Sequence, residues 1–311
     1  MFFERISFHF AEYALVKAFV ESGISELLLL RPLSTQEIAR AKGFDPQRVE
    51  RFMAALGQIG VVQSLKGGYR IAPGLERYFQ KDSPFYIGPY LQHAEALKSS
   101  WDSIAQALKG PPEKRRTPGF LPNLARALFP FNWSLACQLA GELGRRNSVL
   151  DVASGSCVWS APFVLQGARG TAIDLPEVIE KAARPTLERL GILERYKLIP
   201  SNMFEADWGC GHDAVIIAHV MHSHPPPQVK DLFKMARDAV SKDGVVVAVE
   251  FTLDVGAFPK LFDINMLVNT KEGKTYSTHE LVELAESAPL RHLGTKLLSP
   301  ERGVAALIFS P

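Results

Sequence analysis

The chain has 311 residues, 47% of them hydrophobic and 22% charged, which is enough for two globular domains, each with a core of its own. Its 35 basic residues against 33 acidic ones leave a net charge of +2; this gives no electrostatic footprint for nucleic acid or an anionic membrane and favours a small-molecule partner. Cys137, Cys157 and Cys210 are widely spaced, with no Cys-x-x-Cys pair, which argues against a disulfide framework or a zinc ribbon and for a reducing cytoplasm.

The opening stretch, MFFERISFHFAEYALVKAFV, places Glu4 and Glu12 inside its apolar pattern and has no basic n-region, so it reads as a helix rather than a signal peptide. The run LLLL at 27–30 is far too short to span a bilayer. Two further helices follow. Ser34-Thr35-Gln36-Glu37 is a capping box, and Asp45-Pro46 sets an N-cap before a proline at the first helical position. Val49, Phe52, Met53 and Leu56 then mark one face at helical spacing. GVVQSLKGGYRIAP is a hairpin turning at Lys66-Gly67-Gly68, so the order is helix, helix, helix, hairpin, as in a winged helix. DNA binding is disfavoured: residues 1–90 hold 11 Lys/Arg against 9 Asp/Glu, and the helix that would enter a groove mixes Arg48 and Arg51 with Asp45 and Glu50. The apolar first helix, with Phe2, Phe3, Ile6, Phe8, Phe10, Tyr13 and Leu15, fits dimerisation better.

KGPPEKRRTPGFLP at 109–122 reads as a linker or exposed loop, followed by an apolar helix over 123–144. Strands and helices then alternate: SVLDVAS, RGTAIDL, a helix over 176–191, YKLIPSNM, DAVIIAHV, a helix over 226–240, and GVVVAVEF. Apolar runs of this length between helices predict a parallel sheet covered on both faces. A helix in THELVELAESA and a strand in AALIF close the chain.

In such sheets ligands bind beyond the carboxyl ends of the strands. Asp151 to Cys157 follows the first strand, with Gly155 as the residue free to take positive φ, and Asp174 ends the second strand. Asp174 lies 23 positions after Asp151, a spacing that suits a carboxylate accepting from a ribose diol.

A winged-helix front, Asp151-Val152-Ala153-Ser154-Gly155 at the first strand, Asp174-Leu175-Pro176 at the second and Met221-His222 at the end of the fourth resemble the S-adenosylmethionine-dependent small-molecule O-methyltransferases. That family includes plant caffeate-type enzymes and bacterial polyketide and acetylserotonin-type relatives. The resemblance spans nearly the whole chain. It implies an α/β fold: a Rossmann-like methyltransferase domain with a mixed sheet over 118–311, preceded by a mainly helical winged-helix dimerisation domain over 1–110. It further implies S-adenosylmethionine as cofactor and S-adenosylhomocysteine as product. Asp151, Ala153 and Gly155 would lie by the methionine moiety, Asp174 and Leu175 by the ribose, and Asn202, Met203 and Phe204 by the adenine. His222 matches the family's general base and Glu250 the carboxylate that orients it. A phenol has a pKa near 10 and an imidazole near 6.5, so His222 can take the proton as the new bond forms. Phe129, Trp133, Phe262, Met266 and Asn269 occupy segments that wall the aromatic acceptor. The implied assembly is a cytoplasmic homodimer through the N-terminal domain.

The chain departs from the pattern in places. Cys157 replaces the last glycine of the loop, Ser223-His224-Pro225 follows the histidine instead of an acidic residue and Trp, and Thr275 stands where plant members carry a second glutamate. His224 is a candidate substitute base. A metal held by His219, His222 and His224 with Asp213 or His212 is disfavoured, because extended-chain spacing does not point them one way. Two rival functions stay open: a relative that binds the cofactor but hydroxylates or decarboxylates, and a winged-helix regulator.

Overall fold

The computed structural model describes residues 10–112 and 119–311, which form two compact units divided between Leu91 and Gln92. The division falls inside helix α5 (Gly88–Trp101), not at the stretch over 109–122 whose composition suggested a linker. That stretch belongs to the second unit, and residues 113–118 of it lie outside the described residues.

In the first unit, α1 (Ala11–Glu21) and α2 (Ile24–Leu30) replace the single opening helix, because Gly23 turns the chain at φ 69° between them. Phe2, Phe3, Ile6 and Phe8 lie outside the described residues. Helix α3 (Thr35–Lys42) starts at the expected capping box: the Glu37 amide donates to Ser34 Oγ at 3.2 Å and the Ser34 amide to Glu37 Oε2 at 2.8 Å. Helix α4 (Pro46–Gln58) starts with the Arg48 amide on Asp45 Oδ1 at 2.9 Å. Its Val49, Met53 and Leu56 reach the core with Phe19, Ile38 and Ile71. Strands β1 (Val62–Leu65) and β2 (Gly68–Ile71) form the hairpin, and Tyr69 also bridges Leu33.

The second unit opens with most of α5 and a short helical turn at Ile104–Ala107, and contains α6 (Phe120–Leu143), β3 (Ser148–Val152), α7 (Ala161–Leu165), β4 (Arg169–Asp174), a helical stretch over 176–189, β5 (Tyr196–Pro200), β6 (His212–Ala218), α8 (Pro226–Ala239), β7 (Val240–Phe251), α9 (Phe258–Asn269), α10 (Thr278–Glu286), β8 (Arg291–Ser299) and β9 (Val304–Ser310). The sheet order is β5-β4-β3-β6-β7-β9-β8, with β9 antiparallel to both its neighbours and the other adjacent pairs parallel. The sheet is therefore mixed, as expected. Its central strands are apolar on both faces: Val149, Leu150, Ile216, Ile217, Val246 and Val247 are all fully buried. Helix α8 lays Val229, Leu232, Phe233 and Ala236, spaced at i, i+3, i+4 and i+7, against Val215, Ile217 and Val246. Each large side chain so buried contributes roughly 1.5–3 kcal/mol.

Two features were not foreseen. The helix over 176–189 contains a π stretch at Ile179–Ala183, where the Arg184 amide reaches back to Ile179 O; Pro185 follows, with no N–H to continue an α ladder. β8 is an edge strand whose apolar residues face both ways, Leu293 and Leu297 exposed and Leu298 buried, so it lacks a clean alternation. Among the described residues no helix is long and apolar enough to cross a membrane.

Candidate active site

A cavity of about 380 Å³ lies beyond the carboxyl ends of the parallel strands, where an open α/β sheet binds its ligands. One wall is the loop after β3. Ala153, Gly155 and Cys157 there all take positive φ, at 53°, 56° and 61°. Glycine was expected to be alone in this; the chain bends three times at alternate positions, and two of the bends are made by residues with a Cβ. The left-handed region costs such residues on the order of 1 kcal/mol each, so the surroundings must hold them there. They do so through Cys157, whose amide donates to Ser154 O at 2.7 Å and whose carbonyl accepts from the Ala161 amide at 2.9 Å. The Gly155 amide donates to Asp174 Oδ2 at 2.7 Å. A Cβ at Gly155 would come within 3.4 Å of Ala125 Cβ on α6.

Asp174 lines the cavity at the end of β4 and also accepts from the Leu175 amide at 2.7 Å through Oδ1. Burial raises its pKa, opposed by those two amides. Each oxygen keeps a lone pair for a further donor, which suits a vicinal diol. Asn202, Met203 and Phe204 line the cavity beyond β5, with Asn202 Oδ1 accepting the Phe204 amide at 3.0 Å.

Asp151 is placed differently from the expectation. It is absent from the cavity wall and lies under the loop, 1% exposed, where its Oδ2 accepts from Ser160 Oγ at 2.6 Å and from the Ser160 amide at 3.2 Å. Tyr196 Oη donates to the same Ser160 Oγ at 3.0 Å. Burial pushes the Asp151 carboxyl up to about 7, with the Ser160 hydrogen bonds opposing and the Asp174 charge adding to the rise. Asp151 thus braces the loop from below through Ser160.

At the other end of the cavity, His222 follows β6 and Glu250 sits near the end of the neighbouring β7. His222 Nδ1 and Glu250 Oε2 are 2.8 Å apart, with His222 8% and Glu250 1% exposed. Glu250 Oε1 accepts the Met221 amide at 2.9 Å. Burial alone would raise the Glu250 carboxyl; the His222 charge and hydrogen bond, with His219 and the His222 amide, outweigh it and hold the carboxyl below its usual range. With Nδ1 committed to the carboxylate, Nε2 is the nitrogen left to receive a proton.

Residues 142–291 match the family model of the O-methyltransferase domain. The match assigns an O-methyltransferase domain to this stretch, and two O-methyltransferases align along nearly the whole chain. It is 25% identical over 312 residues to 3-hydroxy-5-methyl-1-naphthoate 3-O-methyltransferase of Streptomyces sahachiroi, covering 93% of this chain and 89% of that protein. It is 26% identical over 306 residues to the tetracenomycin polyketide synthesis 8-O-methyl transferase of Streptomyces glaucescens, covering 92% and 89%. The crystal structure of human N-acetylserotonin methyltransferase in complex with SAM shares the fold, with a TM-score of 0.78 and 18% identity over 99% of this chain and 96% of that one.

None of the five residues expected to wall the acceptor lines this cavity. On α6 the wall is Leu121, Leu124, Ala125, Leu128 and Asn132, one helical face, whereas Phe129 and Trp133 are one position round and stack on each other at 5.2 Å. Phe129 is 1% exposed, in the core. Phe262 on α9 meets the His222 ring edge-on at 4.9 Å, just behind the wall. Met266 is buried, and Asn269 turns its Nδ2 to the Asn265 carbonyl at 3.0 Å. Asn132 was missed; it is held by Arg302, whose Nη2 donates to Asn132 Oδ1 at 3.2 Å across 170 positions of sequence, a separation no local pattern signals.

His224 lines the cavity, and its Nδ1 pairs with the neutral Gln228 Oε1 at 2.7 Å. Thr275 Oγ1 is buried with no partner, and its amide donates to Asp263 at 2.7 Å; a threonine hydroxyl there supplies no second acid. Among the described residues, the three groups close enough to share a metal are His219, His222 and Glu250, with ligand atoms within 4.8 Å of one another, a different set from the one weighed on sequence. The 2.8 Å contact in that set is a hydrogen bond and occupies the His222 nitrogen facing the carboxylate.

Proposed function

We propose that the chain transfers the methyl group of S-adenosylmethionine to a hydroxyl of a small aromatic acceptor, with His222 as general base. The observation that carries this reading is the buried His222–Glu250 pair at 2.8 Å on the rim of a cavity whose opposite end holds Asp174. The loop 153–157 and Asp174, with Asn202, Met203 and Phe204, form a wall that fits the cofactor: lone pairs for a ribose diol at one point, apolar side chains at the next. When bound there, S-adenosylmethionine supplies an electrophilic methyl on a sulfonium.

The chain's own contribution is acid–base and positional. The acceptor hydroxyl gives its proton to His222 Nε2 as its oxygen becomes the nucleophile. Glu250 holds the ring by Nδ1 and stabilises the imidazolium that forms, and the Met221 amide fixes the carboxylate from its other oxygen. The apolar wall contributed by Leu121, Leu124, Leu128 and Trp159 keeps water from the reacting groups. An aromatic acceptor is supported by that wall and by the names of the two Streptomyces relatives. S-adenosylhomocysteine produced from the purified chain only when a phenolic acceptor is added is the expected result. Its formation at the same rate without an acceptor, or conversion of the acceptor without it, would overturn the reading in favour of a non-methylating relative.

We also infer a homodimer through the N-terminal unit. There, Phe10 is 64% and Leu30 82% exposed, large apolar side chains that a second copy could cover. Light scattering on the full chain and on a deletion of residues 1–22 tests this: a soluble, active monomer after the deletion would remove the assignment. Three free, widely spaced thiols fit a reducing cytoplasm.

A further inference from the structure

His219 was weighed on sequence only as a metal ligand. It lies between β6 and His222, with φ 52°, its amide on Val249 O at 2.8 Å. The left-handed conformation is one that His tolerates better than most residues, and here it turns the ring into the cavity wall beside the base. Both ring nitrogens are buried and neither has a hydrogen-bond partner in the protein. Trp159 and Phe251 flank the ring at centroid distances of 5.6 and 4.6 Å, and Glu250 Oε2 stands 3.8 Å from Nδ1, beyond hydrogen-bond reach. Orphaned buried nitrogens are costly and call for a partner from outside the chain.

Resting on the methyl-transfer reading above, we propose that His219 is a specificity-determining residue that selects aromatic acceptors bearing a second, free hydroxyl on the ring carbon beside the reacting one. Its nitrogens settle which group fits. Nδ1 stands 3.8 Å from Glu250 Oε2, and the field of that carboxylate favours the proton on Nδ1. Burial holds the ring's pKa down to about 4, so it is neutral near pH 7 and Nε2 carries a bare lone pair. A bare lone pair takes an O–H; a carbonyl, a methoxy group or a plain C–H leaves it unpaired. His222 Nδ1 and His219 Nδ1 both face Glu250 Oε2, at 2.8 and 3.8 Å, so the two rings stand side by side with each Nε2 turned from the carboxylate; an acceptor whose reacting oxygen meets His222 Nε2 brings its neighbouring oxygen toward His219 Nε2.

The sheet order makes the acceptor, and not the cofactor, the partner. The cofactor wall is built from the ends of β3, β4 and β5, on one side, while His219, His222 and Glu250 come from β6 and β7 on the other. A site built to bond a hydroxyl rejects the analogue lacking it strongly, because its own polar group is then left unpaired.

The test measures binding without turnover. The full chain, saturated with S-adenosylhomocysteine, is titrated by calorimetry with 2,3-dihydroxynaphthalene, 3-methoxy-2-naphthol and 2-naphthol. The diol should bind at least tenfold more tightly than either of the others. His219→Phe keeps a ring and removes both nitrogens; it should bring the three ligands within about twofold of one another by weakening the diol alone. His219→Asn, which keeps polar groups and tolerates the backbone, should retain part of the preference. In the wild type, the ¹⁵N resonances of the His219 ring should move on addition of the diol and stay in place with S-adenosylhomocysteine alone. Equal affinities or no binding of the diol in the wild type, a preference surviving in His219→Phe, or a shift produced by S-adenosylhomocysteine alone would each overturn the proposal. The wild-type measurements decide it even where a variant does not fold. None of these outcomes touches the methyl-transfer reading, which stands or falls on S-adenosylhomocysteine formation.

Discussion

The loop after β3 and the rim after β6 are built at the ends of adjacent strands with the same backbone device and to different ends. Each forces residues with a Cβ into the left-handed region: Ala153 and Cys157 in the loop, His219 at the rim. In the loop the side chains are small or turned into the core, Cys157 fully buried, and it is the backbone that faces the cavity. At the rim the backbone is tied into the sheet by the His219 amide on Val249 O, and the imidazoles of His219 and His222 face the cavity. Backbone strain is therefore not a marker of one kind of chemistry. It places a main chain near a ligand in one case and a titratable ring in the other, so the two regions should respond to substitution in different measurements.

The largest effect belongs to the rim. His222→Ala should reduce turnover by roughly 10²–10⁴-fold, the usual reach of general-base assistance, and leave cofactor affinity by calorimetry nearly unchanged. Glu250→Gln should cost less, and the double variant little more than His222→Ala, because the pair acts as one unit. Turnover of His222→Ala at the wild-type rate near neutral pH would leave positioning alone to explain the reaction.

Under the loop, the sensitive variable is pH. A carboxyl whose folded pKa of about 7 lies above its unfolded value of 3.8 binds more protons folded than unfolded; Asp151 therefore contributes stability at low pH that is lost as the pH rises from 3.8 to about 7. Asp151→Asn keeps the shape and an acceptor for Ser160 and removes the titration. Its stability relative to wild type should climb across that window by up to about 4 kcal/mol, read from urea unfolding at several pH values. Parallel curves would show that Asp151 does not titrate there. His219 has the opposite sign: its folded pKa of about 4 lies below the ordinary 6.5, so its contribution is present above pH 6.5 and lost as the pH falls toward 4.

On the side of the loop away from the rim stands Asp174, which holds the Gly155 amide and faces the cavity. Asp174→Ala should weaken S-adenosylmethionine binding by about 1.5–3 kcal/mol, the range for hydrogen bonds to a charged group. Unchanged affinity in a folded variant would take Asp174 out of the site and leave the loop to act alone.

What could be read in the sequence follows from how local its cause is. Ser34 with Glu37, Asp45 with Pro46, and the apolar runs of β3, β4, β6 and β7 each carry their signal within a few residues, and each is found where expected. A second capping box, Ser277 with Glu280, starts α10 by the same local rule and went unnoticed. His222 and Glu250 could be paired because adjacent parallel strands bring their ends to one rim. The wall on α6 was misjudged by one residue: apolar side chains cover nearly every face of that helix, so Phe129 and Leu128 are indistinguishable by type although 100° apart around the axis. The Arg302 to Asn132 clasp and the orphaned His219 ring depend on contacts between distant segments. The positive φ of Ala153 and Cys157 has no sequence signal, since nothing in alanine or cysteine announces it.

That last point yields the smallest and most discriminating effect. At Cys157 two contributions oppose each other. The left-handed backbone penalises any side chain by about 1–2 kcal/mol, which glycine escapes. Against this, the thiol is fully buried, and removing it forfeits its packing and leaves a small void, while glycine also gives the unfolded chain about 0.5–1 kcal/mol more entropy to lose. Cys157→Gly should therefore lie within about 1 kcal/mol of wild type, with cofactor affinity kept or improved. Cys157→Ala loses the thiol and keeps the strain, so it should be the less stable of the two, although alanine is the larger residue and elsewhere outranks glycine. Thermal unfolding of the pair decides the matter. If alanine is the more stable, the bend at 157 is not strained in solution and the loop's geometry is set by its hydrogen bonds alone.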